Sequence, residues 1–186
     1  MPQFEEVGVT LKFPPFIDVA GKWKPDINEK NAAWDMYVEL VTRIAVVELK
    51  PDEGLLREAL SSLHSLFNTT REILKKYGPA VAQRKDPGEV SFGQIAVAIL
   101  NNVLRPVVTY WHPKLDEYMA TKDPAVSDLE HERKWECATQ LRAVLNDIRP
   151  IIIAYAETLA QVANVFPLVI DELAADATRR AIKKCD

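Results

Sequence analysis

Cysteine is nearly absent from this chain. Cys137 and Cys185 are the only two among 186 residues, a usage that fits a reduced protein rather than a disulfide scaffold. There is also no excess of positive charge. Lys and Arg total 23 against 27 Asp and Glu, a formal net charge of −4. That balance argues against nucleic-acid binding by bulk electrostatics, although local basic patches stay open. No glycine-rich phosphate loop and no Cys/His zinc spacing occurs. No Glu-x-x-His occurs either, which argues against a di-iron bundle. Neither a metal nor a cofactor is expected. The start, MPQFEEVGV, lacks the basic region and apolar run of a secretory signal. The long apolar runs are interrupted by Asn, Arg or Glu, so no transmembrane helix and no membrane partner are expected, and the expected localisation is cytoplasmic. No fixed-period repeat or low-complexity tract appears, which excludes a solenoid.

What is present is one strongly apolar stretch, Ser91 to Met119, SFGQIAVAILNNVLRPVVTYWHPKLDEYM. At about 100° per residue, Gln94, Asn101, Arg105, Thr109, His112 and Asp116 share one narrow polar stripe. The rest of the circumference is apolar, more than one partner helix can cover. The stretch reads as the innermost helix of a bundle. Pro106 predicts a kink, and His112 before Pro113 predicts an end or a bend.

The rest of the chain supplies partners for it. In residues 1–27, Val7, Val9, Leu11 and Phe13 alternate with Gly8, Thr10 and Lys12, a strand signal. A lone strand cannot stand in water. The expectation is an extended arm that lays Phe13, Phe16, Ile17 and Trp23 on the bundle or pairs with a second copy. A first helix, capped by Asp26 or Asn28, should run to about Leu49. Its seam of Ala33, Tyr37, Leu40, Ile44 and Val47 is heptad-spaced, with Glu39 and Arg43 as a solvated i,i+4 pair. A second helix, capped at Asp52, should run to about Tyr77 with a Leu56, Leu60, Leu63, Phe67, Thr70, Leu74, Tyr77 seam. His64 sits beside that seam and reads as a boundary or surface residue. Ser91 caps the third helix. Ser127 or Asp128 starts a long fourth one, whose seam runs from Ala138 through Leu141, Leu145, Ile148, Ile152, Tyr155 and Leu159 to Val162, across a bend at Pro150. Pro167 starts a short C-terminal helix. The predicted fold is all-α. It is an antiparallel up-down four-helix bundle (28–165) with kinked third and fourth helices, an extended N-terminal arm (1–27) and a C-terminal helical tail (166–186).

Two clusters invite a chemical reading. Glu130-His131-Glu132 offers metal-ligand types, but three consecutive residues splay by about 100° each around a helix. A solvated first turn is the plainer reading. Arg105 and His112 lie seven apart on the polar stripe. The stretch RPVVTYWH resembles the Arg-to-His motif of HEPN-type ribonucleases, with six residues between the two and an atypical proline after the arginine. The resemblance implies acid/base work by His112 and phosphate binding by Arg105. The plainer alternative is a solvent-facing stripe.

A broader likeness covers about residues 13–165. FPPFIDVAGKW, AAWDMYVELVTRIAVVEL, GLLREALSSLHSLFNTTREILKKYGPAVA, LRPVVTYWHPKL and the EHERKW…LR…YAETLA run together resemble a family of small bacterial helical proteins. Those resemble accessory components of defence systems, alongside caspase-like or TIR-like effectors. The resemblance implies no activity and no catalytic residues. The expected function is a non-enzymatic interaction or adaptor module. Its partner would be another protein, such as an effector encoded nearby, or a second copy, met through Phe13, Phe16, Trp23, Arg105, Trp111 and His112. The metal-independent ribonuclease is the alternative, and only there is nucleic acid a partner. A bundle binding a small ligand beneath the kinks at Pro106 and Pro150 is a weaker third.

Overall fold

The computed structural model describes residues 6–13, 17–43, 48–50, 54–166 and 168. The expectations placed on Phe16, Ile44, Val47, Asp52, the Phe13 side chain and the tail helix from Pro167 lie outside the described residues.

The chain is mostly helical, yet it is not all-α, and an all-α four-helix bundle is not what forms. The N-terminal region is a β-hairpin of β1 (Val7–Phe13) and β2 (Ile17–Trp23), paired antiparallel with Val7 opposite Trp23 and Phe13 opposite Ile17. The strand signal of β1 had a partner ten residues on. Ile17, Val19, Gly21 and Trp23 alternate with Asp18, Ala20 and Lys22, so both strands turn one face inward. Val7, Val9, Leu11, Ile17 and Trp23 are buried there.

A third connection fastens the hairpin. Lys22 donates its N–H to the Gly88 carbonyl (2.9 Å), and Val90 donates to the Lys22 carbonyl (2.9 Å). The approach is close enough that a Cβ on Gly21 would lie 2.8 Å from the Gly88 oxygen, which only glycine allows. The hairpin is thus part of the packed molecule, with β1 lying on the helix Ala138–Ala163.

Five helices follow among the described residues. Helix α1 (Ile27–Val41) opens with a capping box between Asp26 and Glu29. Helix α2 (Leu56–Tyr77) buries Leu56, Leu60, Leu63 and Thr70 of its predicted seam, but Phe67, Leu74 and Tyr77 are half-buried and Leu66 and Ile73 take the inner positions; a 3-10 turn (Gly78–Ala82) ends it. Helix α3 (Phe92–Met119) starts at a Ser91–Gln94 capping box. It passes through π-helical turns at Ile99–Leu104. Pro106 falls just after those turns, where the α-helical pattern resumes, and its missing N–H leaves one carbonyl of the preceding turn without a helical donor. Of the end or bend that Pro113 predicts, the end does not occur: the helix continues to Met119 with Pro113 inside.

The predicted long fourth helix is two. A short α4 (Asp128–Arg133), capped by Ser127, breaks before α5 (Ala138–Ala163). Trp135 packs at the break, edge-on to Trp111 of α3 at 6.0 Å. The α5 seam is as expected, with Leu141, Leu145, Ile148, Ile152, Tyr155, Leu159 and Val162 all buried. Its Asn146 side chain grips the backbone of Leu49, accepting from its N–H at 3.1 Å and donating to its carbonyl at 3.2 Å.

The predicted solvated pair of Glu39 and Arg43 forms (2.5 Å), but Arg43 also reaches across to α2. It bonds the Ser62 carbonyl, Ser65 Oγ and Thr69 Oγ1. Arg43 therefore ties two helices together rather than facing water.

Helix α3 is long and apolar enough to cross a membrane by length and composition, with a window of mean hydropathy 1.2, but half of that window is buried inside the protein. Core burial against α1, α2, β2 and α4 accounts for that composition.

Candidate functional site

The polar stripe of α3 faces solvent. Gln94, Asn101, Arg105, Thr109 and Asp116 are exposed and His112 is half-buried. Antiparallel packing of α2 against α3 adds two residues from the other helix. The imidazole of His64 lies 5.4 Å from that of His112, centroid to centroid, with the rings tilted at 45°. One turn along α2, the Phe67 ring is 6.1 Å from His64, and the Arg105 guanidinium carbon lies 5.2 Å above Phe67. Arg105 Nε donates to Asn101 Oδ1 at 3.1 Å, which fixes the guanidinium over the ring.

Four side chains thus form one row, Arg105 on Phe67, Phe67 beside His64, His64 against His112. Arg105 and His64 are exposed while Phe67 and His112 are half-buried. The row lies in neither of two neighbouring hollows. A groove of about 440 Å³ between α1 and α2 is lined by residues that include Trp34, Asp35, Glu72 and Lys76. A smaller cavity is lined by Leu49, Leu63, Leu145 and Ile152 among others.

The other residues singled out from the sequence go elsewhere. Trp23 is fully buried at the end of β2, 6.4 Å from the Phe92 ring. Trp111 is buried between Tyr110 and Trp135. Neither offers surface to a partner in this conformation. Phe13 is placed only by its backbone, opposite Ile17.

The Glu130-His131-Glu132 cluster points three ways, as the helical splay requires. Glu130 pairs with Lys134 in solvent at 2.8 Å, and that hydrogen bond holds its carboxyl below the ordinary range. His131 stacks on Tyr118 at 4.2 Å, and the Tyr118 hydroxyl donates to the His131 carbonyl at 2.9 Å. Glu132 departs from the solvated turn expected of it. It is 2% exposed. Its carboxylate accepts from the backbone N–H of Leu56 at 2.7 Å and of Arg57 at 3.1 Å. These are the first amides of α2, which has no side-chain cap of its own. A carboxylate from α4 therefore caps α2 across the fold.

Glu29 plays a matching part. It is fully buried, accepts from Lys85 Nζ at 2.8 Å and caps the first amide of α3, Phe92, at 3.1 Å. No signal in the sequence pairs either glutamate with the helix it caps. For His64 a signal existed. His64 and Phe67 are one turn apart, and antiparallel α2 and α3 bring that turn opposite Arg105 and His112.

Among the described residues, no group of three or more His, Cys, Asp or Glu converges as a metal site. Comparison with family models, with curated proteins and with solved structures returned no match.

Proposed function

We propose that this chain is a non-enzymatic protein-interaction module of the cytoplasm, and that the Arg105–Phe67–His64–His112 row is the part that meets its partner. The observation behind this reading is the row itself. Two helices combine to hold an arginine, a phenyl ring and two imidazoles at the surface, with the arginine fixed in place. Preset arginine and aromatic groups suit the centre of an interface, because little side-chain entropy is lost on binding. Burial of Trp23 and Ile17 moves the contact surface away from the hairpin. The partner is another protein, such as an effector encoded nearby, or a second copy. The test is purification of the tagged protein from its native host, followed by the same purification with Arg105→Glu. Loss of a specific companion in the variant, with the fold intact, supports the row as the contact. Retention of every companion counts against it.

A second reading has one observation in its favour. His64 supplies the second imidazole that acid/base cleavage of RNA would use beside His112, with Arg105 to hold phosphate. In that case the purified protein degrades RNA without added metal, and His112→Ala abolishes the activity while leaving the circular dichroism unchanged. RNA left intact by the wild type removes this reading.

A further inference from the structure

We propose that His64 and His112 form a two-ligand site for a divalent transition-metal ion of the zinc class, bridging α2 and α3. The geometry carries it. With metal–nitrogen bonds of about 2.0–2.1 Å and a roughly tetrahedral angle, two imidazoles sharing one ion hold their centroids about 5 Å apart. Here they stand 5.4 Å apart from two different helices. Two helix backbones fix that spacing, so little chain entropy is lost when an ion bridges the rings. Imidazole suits zinc, copper and nickel. His64 is exposed, so water completes the coordination without a desolvated charge.

The surroundings leave the rings available. The third histidine is engaged elsewhere, with its ring on Tyr118 and its Nε2 3.1 Å from the Tyr118 carbonyl. Arg105, the nearby cation, is drawn over Phe67 and toward Asn101. Neither imidazole has a carboxylate partner among the hydrogen bonds and ion pairs of the described residues. The ion would fasten α2 to the α-helical stretch of α3 that follows the π-helical turns.

Calorimetric titration of the purified chain with zinc tests this, together with NMR of the ring nitrogens, of which the chain has only three pairs. The expected result is one zinc per chain, with the resonances of two imidazoles shifting and those of His131 unmoved. His64→Ala and His112→Ala should each weaken binding by at least about tenfold. Arg105→Ala should bind no more weakly than the wild type, since it removes a neighbouring positive charge. Cobalt in place of zinc should give no thiolate charge-transfer band. The proposal is overturned if no zinc binds, if His64→Ala binds like the wild type, or if cobalt reports a thiolate ligand at Cys137 or Cys185. Because His64 is exposed, its alanine variant is expected to fold.

Discussion

Replacing Glu132 by alanine probes the least obvious connection in the fold. The carboxylate accepts two backbone N–H groups at the start of α2, at 2.7 and 3.1 Å. Hydrogen bonds to a charged group are each worth about 1.5–3 kcal/mol, and loss of a helix cap costs about 0.5–2 kcal/mol. The two bonds share one carboxylate, so they do not add in full. Leu56 is 1% exposed, so its freed amide gains no water, whereas half-buried Arg57 can recover some hydration. Together these place Glu132→Ala at about 3 kcal/mol of lost stability, or about 6–12 °C in melting temperature for a chain of this size. Glu132→Gln keeps an acceptor but loses the charge that complements the helix dipole, and should cost about half as much. Urea denaturation is the assay, with the midpoint moving and the slope unchanged. Glu130→Ala, two residues away in solvent, should leave the midpoint where it was. A Glu132→Ala protein within about 0.5 kcal/mol of the wild type, inside the range of ordinary surface changes, would refute the cross-fold cap.

Four further outcomes follow from the structure. Leu104 is 1% exposed in the core of α3, so Leu104→Ala should cost about 2–5 kcal/mol in the same assay. Asn101 is exposed on the polar stripe, so Asn101→Ala should stay within about 0.5 kcal/mol. The Tyr155 hydroxyl is buried without a hydrogen-bond partner among the described residues, and burial pushes its phenol far up. Tyr155→Phe should therefore be neutral or stabilising by about 1 kcal/mol, and a large loss would reveal a partner. The hydrogen bond and charge of Lys24 hold the Glu89 carboxyl below its ordinary value. Its contribution to stability is then present above the ordinary carboxylate range and fades as pH falls through the lowered value. NMR titration should find Glu89 low in dilute buffer and nearer normal in high salt.

The helices were legible because their signals are local. The Asp26 and Ser91 boxes, the α2 and α5 seams and the stripe of α3 repeat on helical periods that tertiary packing did not override. The all-α expectation failed at one point. The alternation in Val7–Phe13 signals a strand, but the matching alternation in Ile17–Trp23 is interrupted by Gly21, so from sequence the hairpin reads as an extended arm laid on the bundle. Gly21 itself is explained only by Gly88 across from it. The long fourth helix divided because Trp135 turns into the core just where α4 must end to aim Glu132 at α2. Half of the candidate site was readable. Arg105 and His112 share a face by spacing alone, whereas His64 and Phe67 join them only through the pairing of two helices. Glu29 and Glu132 look like ordinary acidic residues of a first turn until long-range contacts bury them.

Hydrogen exchange of the chain with and without its co-purified companion tests the central claim most directly, because it reports where contact occurs. The account predicts slowed exchange along α2 around Ser61–Arg71 and along α3 around Asn101–His112, lost with Arg105→Glu. Protection confined to the hairpin or to the far side of α5, with these two helix segments unchanged, would contradict it.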